Sequence, residues 1–166
     1  MRQAGMPRVE DSLRCAICDL PLISRSGLPA IDSPCHRCGC APWCLKRVAG
    51  SSVILSALPD RTPEDADVQL LADSLLRNKR LERVVVDLSQ LNTVSSLLLA
   101  RLLALNKCLQ PRKSRLAVSG AAPIVREIFR RTHFDTLLDL LDSEPEEDTG
   151  PKMASRVLNA IVFLAP

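Results

Sequence analysis

Val84-Val85-Val86-Asp87-Leu88-Ser89-Gln90-Leu91-Asn92-Thr93-Val94-Ser95-Ser96 runs directly into Leu97-Leu98-Leu99-Ala100-Arg101-Leu102-Leu103. The three valines are β-branched, apolar on both faces and bounded by charge, which is the pattern of a strand buried in a parallel sheet. Residues 97–108 are apolar nearly all round and predict a mostly buried helix. Pro111 stops that helix, because proline lacks the N–H needed to continue it. Strand, polar junction and buried helix in this order form half of a strand–helix–strand crossover.

The flanking sequence extends the alternation. Upstream, Val53-Ile54-Leu55 reads as a strand, and the segment around Pro59 and Pro63 as a turn. Residues 64–79 follow with Val68, Leu71 and Leu75 on one helical face. Glu64, Asp65 and Asp67 lie at the start of that helix and Arg77, Lys79 and Arg80 at its end, as its dipole prefers. Downstream, Leu116-Ala117-Val118 is the next strand and Pro123 suits the first turn of another helix. That helix is expected to turn Ile124, Ile128 and Phe129 inward and Arg126, Arg130 and Arg131 outward. A last short helix is expected over residues 136–141. The order predicts an α/β fold: a mostly parallel or mixed sheet with covering helices.

The junction resembles the central block of STAS domains, the family of the anti-sigma factor antagonists. There a buried strand ends in Asp-Leu-Ser, an Asp-Ser-Ser-Gly motif follows, and a leucine-rich helix begins. Arg115-Leu116-Ala117-Val118 and the helix after Pro123 continue the likeness, which covers roughly residues 53–141. The resemblance implies a protein-binding switch without enzymatic activity. It places Asp87 at the strand-end Asp, Ser95 at the motif's Asp and Ser96 at the serine phosphorylated by a kinase that is itself an anti-sigma factor. Asp87, Ser95 and Ser96 would then form the partner surface. The chain departs from the motif at Ser95 in place of Asp, at Leu97 in place of Ser and at Leu98 in place of Gly. The residues also permit a purely local reading. A serine opening a helix caps it, and Asp87 can bind backbone amides of the following loop. A phosphoacceptor role for Asp87 as in receiver domains needs an acidic pair after the first strand, and Ser56-Ala57-Leu58 offers none.

A different chemistry occupies the first fifty residues. Six of the seven cysteines lie between Cys15 and Cys44. Cys15-Ala16-Ile17-Cys18 and Cys35-His36-Arg37-Cys38 are two CxxC pairs sixteen residues apart. That spacing suits a zinc-ribbon-like module in which Cys15, Cys18, Cys35 and Cys38 hold a structural Zn²⁺. A segment this short cannot bury enough surface to fold without such a staple. Cys40, Cys44 or His36 can each stand in for Cys38. The chain therefore divides into a Cys cluster (1–50), a STAS-like domain (51–142), and an acidic linker with an apolar tail (143–166).

Composition limits the remaining options. The 166 residues are 46% hydrophobic and 25% charged with a net charge of +3, too weak a bias to argue for a nucleic-acid or membrane partner by itself. No signal peptide is read before the cysteines and no apolar run approaches a membrane span, so a cytoplasmic protein is expected. Cys108 is expected in buried packing, and His133 at a helix end. Two alternatives stay open. In one, the ribbon binds nucleic acid, with Trp43 the only stacking aromatic near it, and the α/β domain is a scaffold. In the other, Cys40 and Cys44 make a thiol or zinc redox sensor.

Overall fold

The computed structural model describes residues 13–22 and 32–141. One six-stranded sheet runs through them in the order β1 (Arg14–Cys15), β2 (Cys44–Ala49), β3 (Ser52–Ala57), β4 (Arg83–Asp87), β5 (Arg115–Ser119) and β6 (Asp139–Leu140). The first two pairings are antiparallel and the other three are parallel. Helices α1 (Asp65–Arg77), α2 (Ser96–Leu109) and α3 (Pro123–Arg131) make the parallel crossovers. Crossovers of one hand that always step in the same direction across a sheet place their helices on one face. The buried residues of all three helices accordingly join one core with Val53, Leu55, Val84, Val86, Leu116 and Val118. The other face carries Ile54, Val85 and Ala117, with Leu141 packed against them.

Local chemistry accounts for the helix ends. Glu64 and Asp67 form a capping box at the start of α1. The Ser95 hydroxyl caps α2 by accepting from the Leu98 N–H at 3.1 Å. Arg101 of α2 donates to the Pro63 carbonyl at 3.2 Å and pairs with Asp65, tying the start of α1 to the face of α2.

The structure departs from the sequence reading in five places. Gly50 and Ser51, where the chain was divided, are the turn of the β2–β3 hairpin, and Cys44 through Ala49 pair along the whole of β3. The short helix expected over 136–141 is instead a 3-10 turn (Phe134–Thr136) followed by the edge strand β6, which pairs with β5. Ile124 is 58% exposed, and Val125 takes its place in the core beside Phe129. Helix α2 is not buried all round: Leu97 is 50% exposed while Leu98, Leu99, Leu102, Leu105 and Leu109 are buried. Cys108 is half-buried and lies against Gln69 of α1. The acidic stretch 144–148 and the apolar stretch 153–166 lie outside the described residues. Among the described residues no helix is long and apolar enough to cross a membrane.

Candidate functional site

At the carboxyl ends of three parallel strands, Ser56, Asp87 and Ser119 stand side by side in register. Asp87 is half-buried. Its Oδ1 accepts from the Ser89 N–H at 2.9 Å and its Oδ2 from the Ser56 hydroxyl at 3.5 Å. The loop is pinned further by Leu88 N–H donating to the Ser119 carbonyl at 2.9 Å. Gly120 closes against it with a φ of +66°, and a Cβ there would lie 2.6 Å from Asp87 Oδ1. Asp87 thus binds the loop's backbone, and its carboxylate organises the junction from beneath.

The junction is exposed at Ser89, Asn92 and Thr93 and at the start of α2. Ser95 supplies the cap, leaving Ser96 as the first helical residue with its hydroxyl on an exposed side chain. Leu97 and Ala100 continue the exposed strip, and Leu103 and Ala104 extend it half-buried. No carboxylate lies in the first turn, so the positive end of the helix dipole is not offset by side-chain charge there. An anion on Ser96 meets free helix N–H groups and that dipole. Of the three departures from the family motif, Ser95 serves as the cap, Leu98 goes into the core and Leu97 adds apolar surface beside Ser96. The exposure of Leu97 and Ala100 was missed from sequence, because a leucine-rich helix gives no sign of which stripe stays outside.

The two CxxC pairs fold as equivalent knuckles. In the first, Cys15 N–H donates to the Leu20 carbonyl and Asp19 N–H to the Cys15 carbonyl, at 2.8 and 3.1 Å. In the second, Cys35 pairs with Cys40 and Gly39 with Cys35 in the same way, at 3.0 and 2.7 Å. Asp19 and Gly39, the fourth residue after each first cysteine, both take left-handed backbone, which tightens the turn. The sulfurs of Cys15, Cys18, Cys35 and Cys38 all lie within 4.8 Å of one another, an arrangement able to hold a metal ion. Cys15 and Cys38 Sγ are 3.7 Å apart, and Cys18 and Cys35 Sγ 3.5 Å. Burial tends to raise all four thiols, and it does raise Cys15, Cys18 and Cys38, the last to about 11. For Cys35 burial is outweighed by the backbone N–H groups of Cys38 and Arg37 and by the Cys18 and Cys38 thiols. They bring it down to about 6.

The neighbouring candidates fall outside this group. Cys40 occupies the knuckle position that Leu20 holds in the other pair and contributes its carbonyl. His36 is exposed, and among the described residues it joins no metal-binding group. Cys44 is fully buried on the helix-facing side of β2, and burial pushes its thiol up, which suits an inert packing residue. Trp43 is 5% exposed within the main core, so the nucleic-acid reading loses its stacking surface. Lys46, which the sequence reading passed over, is 4% exposed and bonds Asp19 of the first knuckle at 2.7 Å.

A family model described as "Mlab, STAS domain" matches residues 45–141. The chain belongs to the STAS domain family. The match begins inside β2, so the hairpin strand that precedes residue 50 is part of the STAS domain. The NMR structure of the protein TM1081 from Thermotoga maritima has 15% identity and a TM-score of 0.53. It covers 59% of this chain and 79% of its own, and the likeness is one of fold. An anti-sigma-factor antagonist (STAS) domain protein from Planctomyces limnophilus has 17% identity and a TM-score of 0.44, covering 70% of this chain and 97% of its own. No curated protein matches the sequence.

Proposed function

We propose that this STAS domain is a non-enzymatic regulatory module that binds a partner protein through the start of α2, in the manner of an anti-sigma factor antagonist. The observation that carries the reading is the exposed Ser96–Leu97 step, set on a rigid junction built by Asp87, Gly120 and the Ser95 cap. Leu97 and Ala100 offer apolar contact, and Ser96 offers a hydroxyl where an added phosphate changes the local charge by about −1.5 to −2. The partner is a protein, of the serine-kinase anti-sigma class, and Ser96 is the residue it modifies. Ser95 in place of an acid leaves the cap neutral, so the phosphate would meet no adjacent carboxylate. Zn²⁺ in the four-cysteine site is structural, since four protein thiolates close its coordination sphere.

The test is capture from the native cell lysate on wild-type chain and on Ser96→Glu, with the retained proteins identified by mass spectrometry. Retention of a kinase-like regulator by wild type and its loss with Ser96→Glu is the expected result. Phosphopeptide mapping after incubation with that regulator and ATP should place the phosphate on Ser96. Equal retention by both chains would overturn the switch at this residue.

A further inference from the structure

An open cavity of about 790 Å³ lies between the cysteine knuckles and α1, away from the Ser96 surface. Its volume falls in the range of small-molecule sites, roughly 300–1,000 Å³. Its floor is the helix-facing side of β2 at the half-buried Val48, with Val53 of β3 buried beneath it. One wall comes from both knuckles, through Ile17 and Asp19 of the first and Arg37 of the second. The other wall is α1, through Leu70, Ser74 and Arg77.

The charges on these walls are unevenly used. Lys46 is buried beneath the cavity, and its ammonium is held by Asp19 at 2.7 Å and Ser74 at 3.5 Å. Among the described residues, the Arg37 and Arg77 guanidiniums have no ion-pair or hydrogen-bond partner. Both line the same cavity, Arg37 from the second knuckle and Arg77 from α1. Asp73, one turn before Arg77, also lines the cavity and does not pair with it. Three cationic side chains (Arg37, Lys46 and Arg77) therefore face two carboxylates, Asp19 and Asp73, one of which is already taken by Lys46. Leu70, 44% exposed, and the half-buried Val48 supply an apolar surface next to the arginines.

We infer that this cavity binds an anionic group, a carboxylate or a phosphoryl, carried on a small apolar body, and that the metal-bound knuckles form the wall that holds it. Arg37 and Arg77 grip the anion from two sides. Guanidinium donors suit carboxylate and phosphoryl oxygens equally. Arg37 lies between the ligand residues Cys35 and Cys38, so its position depends on the closed knuckle. The inference rests on the metal part of the proposed function and is independent of Ser96.

The experiment follows ¹H–¹⁵N spectra of the zinc-loaded full chain, at low salt to limit screening, during titration with phenyl phosphate, benzoate and benzyl alcohol. Saturable shifts grouped at Asp19, Arg37, Ser74 and Arg77, with either anion and not with the neutral alcohol, are the expected result. Response to phenyl phosphate alone assigns a phosphoryl ligand, and response to both admits carboxylates. Arg37→Gln and Arg77→Gln should each weaken binding about tenfold, the loss of one charge-assisted contact. Unchanged affinity in the double variant, scattered shifts, or an equal response to benzyl alcohol would overturn the site. Zinc content is measured on each sample, and affinity retained after chelation would overturn the part given to the knuckles. A failure of these titrations leaves partner capture at Ser96 as a separate result.

Discussion

The cysteine knuckles and the helix-covered sheet hold themselves together by different means, although they share one sheet through β1 and β2. The knuckle region buries little: Cys15, Leu22, Cys35, Leu45 and Leu58 form its whole buried cluster among the described residues. The main core gathers leucines, valines and alanines from five strands and three helices, with Phe129 and Phe134 in edge contact at 6.0 Å. The first region needs a point of strong bonding at its centre. The second draws on many weak contacts spread over a large area. A single substitution should therefore act on one region while sparing the other, and the Lys46–Asp19 and Arg61–Asp32 ion pairs link them.

The largest expected effect breaks the first region alone. Replacing Cys15 and Cys35 together by Ser should abolish zinc binding, whose contribution in structural sites is about 10–16 kcal/mol. Protease should then cut the knuckles while hydrogen exchange in β3, β4 and β5 stays slow. One zinc per chain retained in that variant would rule out this ligand set.

Phe129→Ala is the converse. It should cost about 3–5 kcal/mol, read as a lower denaturation midpoint, with zinc stoichiometry unchanged in the folded chain. Loss of zinc at native conditions would show that the two regions unfold as one.

Gly120→Ala sharpens the comparison within the sheet region. A side chain at positive φ, with its Cβ meeting Asp87 Oδ1 and the Ser89 N–H, should cost on the order of 2 kcal/mol. It should also shift the amide resonances of Ser89 and Leu91 and leave the knuckles untouched. Smallest is Ser95→Ala, which removes the α2 cap at about 1 kcal/mol. Its mark should be faster exchange at the Leu98 amide, with the zinc site and the core unaltered.

Much of this architecture was legible in the residues. The valine run, the leucine-rich helix and the apolar spacing of α1 each specify an element by a pattern within a dozen positions. Strands β3, β4 and β5 and all three helices lie where those patterns place them. Strand β2 was not legible, because Cys44-Leu45-Lys46-Arg47-Val48-Ala49 interrupts its apolar alternation with a lysine on the buried side. Lys46 is tolerated there because Asp19, twenty-seven residues earlier in the chain, reaches it. The edge strand β6 looked helical because a two-residue strand has too little length to show a period. The partition of α3 between Ile124 and Val125 was decided by where the helix settles on the sheet.

By itself the sequence determined the alternation of strands and helices, the strand–junction–helix block of a STAS domain, and the four cysteines that converge. Each depends on spacing along a short stretch, and backbone geometry converts such spacing directly into direction. Tertiary structure alone decided that the hairpin joins both regions into one sheet and that Asp87 serves the loop beneath Ser96. It also brought Arg37 and Arg77 to the lining of one cavity. Those relations pair residues far apart in the chain, and only the packing of the whole core brings them within reach of each other.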